Sequence, residues 1–227
     1  MKTISLTIDG KKITASEGEN LLWVALDNGI YIPNLCALRG KLEPAAACRL
    51  CFVELEGKEQ PVTACTETVV DGLVVNTRGT KALRLARTAF ELLMASHPVD
   101  CACCPANRSC ELQIIARHLG AKLKSKRFRK LLRGLPIDDS NPIFIYDPNK
   151  CVLCGRCVWV CRQQGIGAFG FAHRGFERII TTFGDEPMSE AKCQDCEECI
   201  AVCPTGALVF KDEERRKSKL RKVKESY

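Results

Sequence analysis

Residues 151–161 read CVLCGRCVWVC and residues 193–204 read CQDCEECIAVCP. Both carry the spacing C-x2-C-x2-C-x3-C, first at Cys151, Cys154, Cys157 and Cys161, then at Cys193, Cys196, Cys199 and Cys203, with Pro204 following the second set. Thiolates are soft ligands suited to iron–sulfur chemistry. A tight loop with cysteines at two-residue gaps presents three sulfurs to one cubane, and the fourth cysteine serves the neighbouring cluster. The repeat therefore predicts two [4Fe–4S] clusters with crossed ligation. Cys151, Cys154, Cys157 and Cys203 hold one, and Cys193, Cys196, Cys199 and Cys161 hold the other. Zinc is the competing reading, but zinc takes paired C-x2-C knuckles set far apart along the chain. Cys161 is followed by Arg162 rather than proline, which loosens the motif and leaves the ligand count intact.

The chain has 227 residues, and sixteen of them are cysteine. Its start, MKTISLTIDGKKIT, alternates polar and apolar residues and has no secretory h-region. No apolar run approaches the roughly 18 residues of a membrane span. These features predict a cytoplasmic protein in a reducing compartment, where clustered cysteines bind metal rather than pair as disulfides. The formal charge is +7. Residues 122–133 hold seven Lys/Arg and no acid, and residues 211–227 hold eight Lys/Arg against four acids. Neither run interleaves several aromatics as a nucleic-acid stacking surface does. They are expected to be solvated arms that dock on acidic partner subunits, with no nucleic acid and no membrane insertion.

Residues 1–78 read as a small mixed sheet. ISLTI, the turn pair Asp9-Gly10 and KKITA form a hairpin. Leu21, Leu22, Ala25 and Leu26 share a helix face that stops at Asn28-Gly29. CFVELEG and PVTAC are short strands, and VVDGLVVNT is hairpin-like around Asp71-Gly72. On this frame stand Cys36, Cys48, Cys51 and Cys65, spaced C-x11-C-x2-C-x13-C. A C-x2-C pair flanked by two distant cysteines suits a plant-type [2Fe–2S] site with altered gaps. Alone, the spacing also fits structural zinc; beside two cubanes it favours iron.

Residues 80–97 (TKALRLARTAFELLMASH) form the clearest helix, with Leu83, Ala86, Phe90 and Leu93 at three- and four-residue steps and Pro98 as its stop. This places His97 at the helix end. Residues 111–120 form a second short helix closed by Gly120. Between them, SHPVDCACCPANRSCELQ holds the four remaining cysteines, Cys101, Cys103, Cys104 and Cys110. Four cysteines suffice for a cluster, but Cys103 and Cys104 are adjacent and their side chains diverge in an extended loop. Cys101, Cys104 and Cys110 with His97 upstream give H-x3-C-x2-C-x5-C and leave Cys103 spare. The fifteen cysteines and one histidine then serve one [2Fe–2S] and three [4Fe–4S] clusters, about 14 iron atoms in all.

That histidine motif, after a [2Fe–2S] domain and before two cubane motifs, resembles the N-terminal region of the large iron–sulfur subunit of respiratory complex I. The same modules resemble the front end of multi-cluster [FeFe] hydrogenases and the small diaphorase subunit of NAD-reducing [NiFe] hydrogenases. HPVDC, NRSCELQ, CVLCGRC and CPTGAL carry the resemblance, which covers residues 1 to about 210. It implies that His97, Cys101, Cys104 and Cys110 are cluster ligands. With the residue patterns, it implies an α+β protein in five segments. An N-terminal β-grasp [2Fe–2S] ferredoxin-like domain (1–78) precedes a short helical His/Cys3 [4Fe–4S] domain (79–120) and a basic connector (121–140). A C-terminal two-[4Fe–4S] ferredoxin-like domain (141–210) and a charged tail (211–227) follow.

No substrate-converting site is evident, and every cysteine but one is assigned. GIGAFG at residues 165–170 matches a dinucleotide fingerprint but lacks the preceding strand, so it reads as a chance match. His118 and His173 read as surface residues. The resemblance implies an electron-relay subunit between a flavin- and NAD(P)-binding subunit and a catalytic subunit, foremost that of a hydrogenase. A formate dehydrogenase, an electron-bifurcating transhydrogenase and a complex I-like enzyme are alternatives, as is a free polyferredoxin carrier.

Overall fold

The computed structural model describes residues 2–124 and 126–218. Ser125 of the basic run and residues 219–227 of the expected charged tail lie outside them. The chain divides into two compact units. One runs to Leu92 and takes in Ile115–Lys122; the other holds Leu93–Ile114 and the chain from Leu123 onward.

In the first unit, β1 (Thr3–Ile8) and β2 (Lys11–Ser16) form an antiparallel hairpin with Ile8 opposite Lys11. Asp9 and Gly10 turn it at φ values of 51° and 80°, the left-handed pair a two-residue hairpin requires. Strand alternation then buries Ile4, Leu6 and Ile8 on one face. Helix α1 (Leu21–Asp27) begins where the Asn20 side chain accepts the Leu22 N–H, and Leu21, Leu22, Val24 and Ala25 face inward. β3 (Phe52–Leu55), β4 (Val62–Thr63) and β5 (Val74–Asn76) complete a mixed sheet ordered β2-β1-β5-β3-β4. Only the β1–β5 pairing is parallel.

The sequence predicts a hairpin around Asp71-Gly72, and the structure has a single strand there. Asp71 Oδ1 accepts the Ser5 N–H and the Gly72 N–H donates to Ser5 O, so the turn is tied to β1 and delivers β5 beside it. Long-range pairing overrides the local signal. Helix α2 (Thr80–Ala95) ends two residues before the expected 97, which leaves His97 beyond it. Helix α3 (Glu111–Leu119) stops at Gly120, whose φ is 61°. Arg87 Nε donates to Leu119 O at 2.8 Å, above the fully buried Phe90 and Ile115.

The second unit contains both the His97–Cys110 segment and the two repeated motifs. β6 (Phe144–Tyr146) pairs antiparallel with β9 (Leu208–Phe210), and β7 (Gly170–Ala172) pairs antiparallel with β8 (Ile179–Thr181) between the motifs. Each motif is a cysteine loop leading into a helix: α4 (Arg156–Gln163) and α5 (Glu198–Ala201). The repeat extends to the backbone. Leu153 and Gly155 (φ 54° and 75°) match Asp195 and Glu197 (φ 51° and 64°) in the second loop. At Gly155 a side chain is disfavoured by the positive φ, and a Cβ there would also crowd the Phe171 ring at 3.1 Å. The whole is an α+β arrangement, and no helix among the described residues is long and apolar enough to cross a membrane.

Candidate metal centres

In the first unit, Cys36 follows α1, Cys48 and Cys51 lie in the loop before β3, and Cys65 sits in a 3-10 turn (Ala64–Thr66) after β4. All four are buried, none more than 7% exposed. Cys36 Sγ lies 3.5 Å from Cys48 Sγ, and the free Cys51 and Cys65 thiols are hydrogen-bonded to each other. The Cys36 contact, then burial, pushes the Cys48 thiol far up; the Cys65 contact, then burial, does the same to Cys51. The bond to Cys51 holds Cys65 down. The loop bearing three of them is held in an unfavourable shape, with Ala46 and Arg49 at φ values of 46° and 54°. Such residues cost about 1–2 kcal/mol each and persist only where the surroundings over-determine them. Four converging sulfurs without a carboxylate among them suit a two-iron cluster.

In the second unit, His97 has its Nδ1 buried with no hydrogen-bond partner among the described residues. Burial pulls the imidazole down to about 4 against the pull of Asp100. A neutral, unpartnered buried nitrogen is costly unless something takes its lone pair, and a soft metal does that. Cys101, Cys104 and Cys110 lie near one another, the charge of Cys101 acting on Cys104 and those of Cys104 and Cys101 on Cys110. Burial pushes Cys110 up to about 12 and raises Cys104, while the amides of Ala106, Leu112 and Gln113 donate to these two sulfurs. Cys103 is exposed.

The two motifs interleave. Burial, then the charges of Cys151, Cys154, Cys203 and Cys199, pushes the Cys157 thiol well up. Burial raises Cys199 to about 12, and Cys193, Cys196, Cys161 and Cys203 add to it. Cys151 and Cys154 rise to about 11 and about 12, again by burial first. Cys203 thus stands with the first motif and Cys161 with the second. Such thiols hold their protons until a metal displaces them, so loading releases protons. Amide donors are in place as well: Leu153 N–H to Cys151 Sγ at 3.4 Å and Ala168 N–H to Cys161 Sγ at 3.1 Å. Soft sulfur donors of this kind suit iron–sulfur chemistry.

Several charged residues around these sites escaped the sequence reading. Arg133, the last of the basic run, donates to Pro148 O and Cys151 O at 3.1 Å each, and Lys130 Nζ donates to Met94 O at 2.7 Å. Arg133, half-buried, is an internal fastener, and Lys130, although exposed, ties its amine to a backbone carbonyl. Lys150 Nζ lies 3.2 Å from Asp100 Oδ2, and Arg156 Nη1 lies 2.8 Å from Glu111 Oε1 with both residues 8% exposed. The four members of these two pairs adjoin a candidate ligand cysteine in sequence, which was the available signal. GIGAFG ends α4 rather than opening a helix, with Gly165 and Gly167 at φ 72° and 66°, so it forms no phosphate-binding turn. His118 packs edge-on against Tyr31 at 4.8 Å.

Comparison with known families agrees with this division of chemistry. Residues 1–80 match a 2Fe-2S iron-sulfur cluster binding domain, residues 87–123 the NADH-ubiquinone oxidoreductase-G iron-sulfur binding region, and residues 150–207 a 4Fe-4S dicluster domain. Among similar proteins, the NADPH-Fe(3+) oxidoreductase subunit alpha of Geobacter sulfurreducens is 40% identical over 209 residues, covering 92% of this chain and 24% of that protein. The NADP-reducing hydrogenase subunit HndD of Solidesulfovibrio fructosivorans is 34% identical over 220 residues, 92% of this chain and 36% of its own length. An NADH-quinone oxidoreductase subunit of Streptomyces coelicolor is 34% identical over 208 residues, 90% of this chain and 24% of that protein. The chain therefore spans only a quarter to about a third of these relatives. A chain of the crystal structure of an NAD+-reducing [NiFe]-hydrogenase in the H2-reduced state superposes with a TM-score of 0.84 at 28% identity, covering 99% of both chains. The expected resemblance holds, and the chain carries 2Fe-2S and 4Fe-4S binding domains on a fold that matches that hydrogenase chain.

Proposed function

We propose that this chain is an iron–sulfur electron-transfer subunit that relays electrons between a flavin- and NAD(P)-binding subunit and a catalytic subunit of the hydrogenase type. Cys36, Cys48, Cys51 and Cys65 hold a [2Fe–2S] cluster. His97, Cys101, Cys104 and Cys110 hold one [4Fe–4S] cluster, Cys151, Cys154, Cys157 and Cys203 a second, and Cys193, Cys196, Cys199 and Cys161 a third. When bound, such clusters supply one-electron redox centres. The protein's own residues hold the sulfurs in place, exclude water through burial, and aim amide N–H groups at the ligand atoms, which tunes potential. Fastening by Arg133, Lys150 and Arg156 keeps the ligand loops in register.

The observation that carries the hydrogenase assignment is the end-to-end likeness to the NAD+-reducing hydrogenase chain, which accounts for 99% of both chains. A second reading, relay onto a different catalytic subunit, is favoured by the 40% identical NADPH-Fe(3+) oxidoreductase subunit. An anaerobic pull-down from the native host, with every co-purifying subunit identified by mass spectrometry, tests both. A flavin/NAD(P) subunit with a hydrogenase pair supports the first. Another catalytic subunit supports the second. A chain that comes down alone with its iron intact refutes both and makes it a free carrier. Iron analysis of the same material is expected to give about 14 atoms per chain.

A further inference from the structure

We infer that Lys150 raises the reduction potential of the cluster held by His97, Cys101, Cys104 and Cys110, by fixing one positive charge beside that site. The inference rests on the ligand set proposed above. Lys150 precedes Cys151, a ligand of a different cluster, yet its side chain is directed to the histidine site. Its Nζ is held 3.2 Å from Asp100 Oδ2 and 3.7 Å from Asp147 Oδ2, with only 11% of the side chain exposed. Asp100 is itself next to Cys101. The backbone is anchored as well, because Thr205 Oγ1 donates to Lys150 O at 2.9 Å. A Cβ on Gly206 would stand 2.7 Å from Cys104 Sγ and 3.5 Å from Lys150 Cδ, so the lysine stem and the cysteine sulfur border the same small space.

The cations are shared out between sites. The charge of Lys150 acts on both Cys104 and His97, that of Arg133 on Cys151, and that of Arg156 on Cys154. Reduction adds one negative charge to a cluster, and a nearby fixed cation stabilises that state more than the oxidised one. Burial keeps salt and water from screening it. Asp100 and Asp147 oppose the effect, so removing the lysine also leaves two carboxylates uncompensated. The imidazole ligand and Lys150 therefore act in the same direction, since replacing a thiolate by neutral nitrogen also raises the potential.

The test is a redox titration followed by EPR on the full chain, anaerobically reconstituted, with the histidine-site signal defined as the one lost in His97→Ala. Lys150→Met keeps the stem and removes the charge. At fixed ambient potential its histidine-site cluster is expected to show a reduced-to-oxidised ratio at least tenfold lower, about 59 mV for one electron, with smaller shifts in the two cubanes. Lys150→Arg is expected to restore the midpoint, and Asp100→Asn to move it the opposite way. Midpoints that stay put in both Lys150→Met and Asp100→Asn, with iron content intact, overturn the inference. So does a shift no larger than that of the cubanes. If His97→Ala removes no signal, the ligand set is wrong and the inference falls with it. Should Lys150→Met fail to load iron, the more exposed Asp100→Asn decides by the sign of its shift.

Discussion

Replacing Gly206 by alanine probes the histidine site at a single atom. The added methyl would stand 2.7 Å from Cys104 Sγ, with Ala106 Cβ and Lys150 Cδ each at 3.5 Å. Unstrained non-bonded atoms sit about 3.5–4.0 Å apart, so the sulfur or the backbone must retreat by about 1 Å. Overpacking of this kind costs about 1–3 kcal/mol, which a folded domain usually survives. A metal–ligand bond tolerates only about 0.2 Å. The difference between these tolerances makes the effect selective. Gly206→Ala should fold, keep its [2Fe–2S] centre, and lose the histidine-ligated cluster, so that iron falls from about 14 to about 10 atoms per chain. Iron and sulfide analysis with EPR of the dithionite-reduced chain reads this directly. Gly170→Ala is the control, because nothing lies within 4 Å of a Cβ there. A Gly206→Ala chain with full iron and an unaltered histidine-site signal would refute the packing argument, since Cys104 could not then occupy the described position as a ligand.

Arg156→Met removes one partner of the buried pair with Glu111 and leaves a carboxylate 8% exposed without its cation. A loss of about 3–5 kcal/mol is expected, and most of it should return in Arg156→Met/Glu111→Leu; urea midpoints that match the parent in the single variant would contradict this. His97→Ala is expected to abolish one EPR signal and spare the rest, whereas Cys103→Ser, at an exposed position, leaves all of them; loss of a signal in the serine variant would reassign the ligands. His118 is held below its ordinary 6.5, by partial burial first and then by the charge of Arg78. Its neutral form is the one the folded state favours, so its contribution is complete above pH 6.5 and is lost as pH falls from there through the lower folded value. His118→Phe keeps a ring against Tyr31, and its Tm should gain on the parent's as pH drops from 7.5 to 5.5; a constant difference would exclude titration of this residue.

What the sequence disclosed and what it concealed separate along a physical line. Proposed ligand sets such as Cys151, Cys154 and Cys157 rest on spacing, because three donors to one cluster must come from one tight loop. The proposed partner swap between Cys161 and Cys203 follows from that spacing repeated. The Asp9-Gly10 hairpin is legible because its turn needs left-handed residues. Asp71-Gly72 misleads for the complementary reason, since its hydrogen bonds go to Ser5, more than sixty residues away. Arg133 misleads similarly: a basic run looks solvated until the carbonyl of Cys151 is known to lie within reach.

The departure of Cys161-Arg162 from the expected Cys-Pro also has a structural reason. α4 runs to Gln163, so residue 162 lies inside it, and proline there would delete a helical hydrogen bond and clash with the preceding turn. α5 ends at Ala201, so Cys203 already lies past its helix and Pro204 meets no such constraint. Pro204 instead offers its carbonyl to the Glu111 N–H at 2.9 Å. That bond joins the segment after Cys203 to the segment after Cys110, alongside the Glu111–Arg156 and Asp100–Lys150 ion pairs. In both pairs the acid adjoins a proposed ligand of the histidine site and the base adjoins a proposed ligand of the first dicluster motif. Three fastenings between the same two ligand sets fix their separation. Such fastening limits relative movement of the two proposed ligand sets, which electron transfer between them would need.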